Sequence, residues 1–133
     1  MDAKARILFV ALIAAQAAHS VEEYATGLFD VFAPARFVSN LISDDLSLGF
    51  ALANMAVVLF GLWCVVARVW PRHPSAPAFA WLWAIVEFGN GFGHSAMALA
   101  RGGYFPGAAT APALLVLSGW LALRLAANYN RER

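Results

Sequence analysis

Residues 47–70 read SLGFALANMAVVLFGLWCVVARVW, and the single charge in that run, Arg68, stands third from its end. A helix that crosses a membrane needs about 20 mostly apolar residues. This tract meets the requirement, and three others flank it at 5–27, 78–100 and 108–127, two of them only if their polar residues turn inward. The expected fold is therefore all-α: a polytopic membrane protein, one domain over 1–133, built as a bundle of four transmembrane helices.

The connections agree with that division. Between the first two tracts lies a linker with Asp30, Pro34, Arg36, Asn40, Asp44 and Asp45, in which Ser43-Asp44-Asp45 can cap the second helix. The run 71–77 (PRHPSAP) is a proline-punctuated turn that no helix can cross, and 101–107 (RGGYFPG) separates the third helix from the fourth. Over 133 residues, 62% are hydrophobic and 13% charged, with a mean hydropathy of +0.66. That balance is too apolar for an ordinary water-soluble domain. The net charge of +1 and the lack of a basic stripe give no reason to expect nucleic acid. The lone cysteine, Cys64, sits in an apolar run and is expected only to pack.

Positive charge marks the cytoplasmic flanks of membrane helices. With the N-terminus inside, Lys4, Arg6, Arg68, Arg72, Arg124, Arg131 and Arg133 are cytoplasmic, and only Arg36 and Arg101 lie outside. Both termini are thus expected in the cytoplasm of a plasma membrane protein. Lys4 and Arg6 followed by Ile7 to Ala15 also have the form of a cleavable secretory signal. An uncleaved helix is expected instead, because the tract runs on into polar residues that make sense as part of a site.

Ionisable residues inside a membrane are costly, about 2.5 to 3.5 kcal/mol each on insertion scales, and by default mark a functional interior. Here they form two groups. Gln16, His19, Glu22 and Glu23 fall within about a 120° arc of the first helix, where His19 and Glu23, one turn apart, can share a metal ion or a proton. Glu87, Asn90 and His94 share a face of the third, although Glu87 and His94 are about 10 Å apart along a regular helix and meet at one ion only if it is distorted. Gly89 and Gly93 form a GxxxG pair, expected to let another helix pack closely. The helix directions bring both groups, with Asn54 and Thr110, to similar depth in the outer half of the membrane. Asn54 and Gln16 are expected to hydrogen-bond between helices. Trp63, Trp70, Trp81, Trp83 and Trp120 read as interface and packing residues.

At His19-Ser20-Val21-Glu22-Glu23, followed by Tyr104-Phe105-Pro106-Gly107, the sequence resembles the HXXEE family of small bacterial membrane proteins, which carries an HxxEE and a YxPG motif. The likeness runs from the first helix into the fourth and implies that His19, Glu22, Glu23, Tyr104, Pro106 and Gly107 belong to the site. The family has no assigned function, so the resemblance names no reaction. Read on its own, the second motif is a tight turn with a helix start behind it, and Tyr104 either hangs over the site or sits at the interface.

Imidazole with carboxylate suits iron, zinc or manganese. The candidate metal ligands are His19, Glu22, Glu23, Glu87 and His94; Glu22, Glu87 and Tyr104 are candidates for proton transfer, and Asn54 and Asn90 for orienting a ligand. The leading expectation is a metal-dependent membrane enzyme, a hydrolase or oxidoreductase, acting on a lipophilic small molecule that enters from the bilayer or the outer face. The alternatives are a metal-free acid/base isomerase, a small homo-oligomeric carrier coupled to protons or a cation, and a membrane subunit that docks a partner helix.

Overall fold

The computed structural model describes residues 1–131. Helix α1 spans Ala3–Ala25, α2 Leu28–Val31, α3 Ala33–Ile42, α4 Leu46–Cys64, α5 Ala76–Arg101 and α6 Ala111–Arg131, and a π-helical turn, Val65–Val69, continues α4. No strand occurs among the described residues. Helix α5 packs along α6, α6 along α1 and α1 along α4, and the π-turn touches both α1 and α5.

The helix limits have local causes. Asp2 caps α1 by accepting the Ala5 amide at 2.8 Å. That amide, and the Arg124 guanidinium against the opposing effect of desolvation, hold the Asp2 carboxyl below its ordinary 3.8. The Asp2 to Arg124 ion pair, 2.8 Å long, ties the start of α1 to the last turns of α6, so both chain ends lie at one end of the bundle. Gly27, at φ 70°, closes α1. Of the expected cap residues it is Asp45 that works, accepting the Ser47 and Leu48 amides at 2.9 and 3.2 Å. Gly102, at φ 63°, ends α5 in the left-handed conformation usual after a helix.

The stretch expected to be a linker is instead folded into α2 and α3. Proline is tolerated in the first turn of a helix, and Pro34 stands there in α3. Ser39 faces Gly49 of α4 so closely that a methyl on Gly49 would lie 2.2 Å from the Ser39 carbonyl oxygen. Phe37, Val38, Leu41 and Ile42 of α3 are exposed.

Three helices are long and apolar enough to cross a membrane: Ala3–Ala25, Leu46–Val69 and Ala111–Asn130. They mark the chain as a membrane protein. Four spans were expected, two of them only with polar residues turned inward; α5 is the longest helix, but with Glu87, Asn90 and His94 it does not match the other three in apolarity. The main core, with Phe9 and Leu12 of α1, Trp83 and Ala84 of α5, and Leu114 and Leu121 of α6, fills the end near the termini. Buried Cys64 packs within it. A second cluster of Leu28, Phe50 and Phe105 closes the other end. Polar residues occupy the level between the two.

Candidate functional site

On α1, the one-turn spacing of His19 and Glu23 sets the His19 Nε2 atom 3.3 Å from Glu23 Oε1. From α5, His94 brings its Nε2 to 3.0 Å from the same oxygen. The two rings meet edge to face with centroids 4.7 Å apart. All three side chains are buried, and each offers one ligand atom within 4.8 Å of the other two.

The outer nitrogens fix the tautomers. His94 Nδ1 lies 2.6 Å from the Pro106 carbonyl, which can only accept, so Nδ1 carries a proton. The single proton of the Thr110 hydroxyl goes to Glu22 Oε2 at 2.5 Å, so Thr110 Oγ1 accepts from His19 Nδ1 at 2.6 Å. In the neutral form both rings therefore aim a lone pair at one carboxylate oxygen. His19 Nε2 is buried and has no hydrogen-bond partner despite its closeness to Glu23. Two imidazole lone pairs facing a carboxylate need a cation or a proton between them.

The loop between α5 and α6 builds this arrangement from outside. Gly107, at φ 87°, passes so near both rings that an added Cβ would lie 2.6 Å from His94 Nδ1 and 2.7 Å from His19 Cε1. Glu22 turns away from the three-residue group to anchor the loop. Its Oε1 accepts from the Tyr104 hydroxyl and from the Ala109 amide at 3.0 Å, and its Oε2 accepts the Thr110 amide at 2.9 Å. Desolvation, and then the Glu22 carboxylate that it donates to, raise the Tyr104 hydroxyl above its ordinary 10.0.

Glu87 is buried two turns from His94 on α5 and also lies outside the group. Helix α5 is continuous through its glycines, so the distortion that would carry Glu87 to the ion shared with His94 does not occur. Glu87 instead ends a hydrogen-bond chain. Asn90 Nδ2 donates to Glu87 Oε2 at 3.3 Å and to Gln16 Oε1 at 3.4 Å, Gln16 donates to Ser20 at 3.2 Å, and Ser20 donates to Asn54 Oδ1 at 3.0 Å. Asn54 thus joins α4 to α1 rather than standing over the histidines.

A groove of about 430 Å³ runs beside α5, walled by Phe32, Gly89, Asn90, Gly93, His94 and Phe105 among others. Gly89 and Gly93, expected to pack against a helix, have nothing within 4 Å of an added Cβ. They thin the helix where it borders the groove. The glycine that packs is Gly91, whose Cβ would lie 2.7 Å from the Ala111 carbonyl of α6.

Of the residues expected at the site, His19, Glu23 and His94 converge directly, Glu22 and Tyr104 join in the loop anchor, and Glu87, Asn90 and Asn54 share the hydrogen-bond chain. Ser20 was not expected there, and Pro106, which the resemblance implied, takes part through its carbonyl, a role that was not expected. Ser20 lies one turn beyond Gln16 on the same helix face, a signal that periodicity carries, whereas nothing in a sequence marks a backbone carbonyl as a partner for a ring nitrogen. No curated protein and no solved structure matches the chain. A family model described as a protein of unknown function with HXXEE motif matches it from residue 10 to residue 121. That match covers both arms of the cluster, the HxxEE turn of α1 and the loop that closes over it, and the chain belongs to the HXXEE family.

Proposed function

We propose that this protein is a membrane-embedded enzyme whose His19, Glu23 and His94 hold a divalent metal ion, and that it acts on a lipophilic small molecule reaching the centre along the groove beside α5. The observation that carries the reading is the double tautomer lock. The Pro106 carbonyl and the Thr110 hydroxyl each take an Nδ1 proton, leaving both Nε2 atoms aimed at Glu23 Oε1. Ligating histidines characteristically donate their second ring N–H in this way. Two imidazoles and one carboxylate suit zinc, iron or manganese and leave coordination positions open.

The bound ion would supply Lewis acidity or redox chemistry, as a hydrolase or an oxidoreductase uses it. Asn90, in the groove wall, orients a polar group of the substrate and places it beside Glu87, which takes or gives the proton. Tyr104, held by Glu22, closes the loop side. In the bilayer, α5 forms a fourth crossing with Glu87 and His94 turned inward and its apolar face outward, both termini are cytoplasmic, and the centre sits in the outer half of a plasma membrane.

A second reading puts a proton where the metal would be. The 3.0 Å between His94 Nε2 and Glu23 Oε1 is also the length of an N–H···O bond, which favours a metal-free acid/base isomerase. Elemental mass spectrometry of the detergent-purified protein separates the two. The metal reading expects about one iron, zinc or manganese ion per chain, lost in His94→Ala with helix content unchanged by circular dichroism. Wild type that stays metal-free after reconstitution with each ion would end that reading and leave the proton.

A further inference from the structure

At the end of the bundle that holds the termini, far from the His and Glu centre, the turn after α4 and the start of α1 enclose a pocket of about 170 Å³. Arg6, Arg72 and His73 line it, with Val69, Pro74 and Pro77 as apolar walls. Arg68 stands beside the pocket, its Nη1 3.2 Å from His73 Nε2 and its guanidinium carbon 4.8 Å from the centre of the Trp63 ring. Among the described residues the acid at this end is Asp2, and it is engaged by the Ala5 amide and Arg124. No ion pair reaches Arg6, Arg68 or Arg72 among the described residues, and the Nε atoms of Arg6 and Arg68 are buried without a hydrogen-bond partner. Buried donors of native proteins are nearly always satisfied. Arg72 moreover adopts φ 60°, a left-handed conformation uncommon outside glycine. The amide of Arg72 bonded to Val69 O at 3.3 Å and that of His73 bonded to Arg68 O at 2.9 Å hold the turn in place.

Two arginines and a histidine line one small pocket, Arg68 bonds that histidine, and no carboxylate among the described residues pairs with these arginines, an arrangement suited to an anion. We propose that this pocket is a second site, which binds the phosphate of an anionic membrane lipid between Arg6 and Arg72. The surface beside it favours a lipid over a free anion. Leu62, Val66 and Trp70, four residues apart along α4 and its π-turn, are exposed and form an apolar stripe. The stripe ends at the Trp70 ring, 5.9 Å from the Arg6 guanidinium carbon. A phosphate at Arg6 thus has a track for its acyl chain leading back into the membrane. The pocket itself is large enough for the headgroup phosphate and too small for the chains. Basic pockets between membrane helices bind anionic headgroups by this combination of charge and apolar contact.

The test is native mass spectrometry of the detergent-purified protein with equal amounts of phosphatidylglycerol and phosphatidylcholine. Wild type should retain phosphatidylglycerol in preference, and the retention should fall as salt screens the arginines. The double variant R6Q/R72Q should lose about tenfold to thirtyfold of that binding. Lys4→Gln, which removes one charge from the same end but outside the pocket, should keep it. Equal retention of the two lipids by wild type, a reading that needs no variant to fold, would overturn the proposal. So would a folded double variant that binds phosphatidylglycerol as wild type does. Displacement of the lipid by millimolar inorganic phosphate would instead make this a free-anion site and overturn the assignment to lipid.

Discussion

Gly107 stands at the point where two motifs far apart in sequence touch. Its φ of 87° and the 2.6 Å that would separate a Cβ from His94 Nδ1 are independent reasons for glycine there. Gly107→Ala should cost about 1 to 2 kcal/mol from the left-handed backbone alone, and more as the loop lifts off the rings. Gly103→Ala, in the same loop with nothing within 4 Å, should stay within about 0.5 kcal/mol of wild type. Thermal unfolding in detergent checks both, and equal effects would remove Gly107 from its place over the histidines. At this scale the sequence was informative where side chains meet side chains along a helix: the one-turn spacing of His19 and Glu23 places them within reach of each other. It could not say which of the adjacent Glu22 and Glu23 turns inward, because neighbours lie 100° apart on a helix and the choice depends on what α6 presents. Nor could it assign the Pro106 carbonyl, since a backbone atom carries no residue signature.

Among the elements, α5 departs furthest from its sequence reading. Its length and the turns around it are legible, but the roles of its glycines are not, because GxxxG spacing describes a face and does not tell whether a helix or a groove lies against it. The structure sets Gly89 and Gly93 on the groove and Gly91 on α6. Gly93→Ala should therefore leave the fold intact and, by helix propensity, stabilise it by up to about 1 kcal/mol. Gly91→Ala should destabilise it, since the Ala111 carbonyl and the Leu115 amide, at 2.7 and 2.9 Å from the new methyl, are backbone atoms that cannot swing aside. Comparable melting temperatures for the two variants would contradict this assignment of faces. Helices α2 and α3 were missed for a related reason. Proline and charged residues read as a linker, while Pro34 at a helix start and the closeness of Ser39 to Gly49 are tertiary facts.

For the whole molecule, the Asp2 to Arg124 pair puts the start of α1 and the end of α6 at one end of the bundle, and the proposed membrane arrangement accordingly has an even number of crossings. Three of those helices are apolar enough to be recognised singly, so the even number rests on α5. In a Cys64→Ala background, Lys4→Cys and Asn128→Cys should react with an impermeant maleimide only after cells are opened, and Asp44→Cys in intact cells. Labelling of Lys4→Cys and Asn128→Cys from opposite sides would show that α5 does not cross. The same interdependence shapes how the protein is made. Glu22 takes its hydrogen bonds from Ala109 and Thr110, the latter 88 residues further along the chain. The first helix thus leaves the ribosome with Glu22 still without these partners and with His19 and Glu23 lacking Thr110 and His94. The site on α1 is complete only once α5 and the loop before α6 have been made, so its acids gain their last partners late in synthesis.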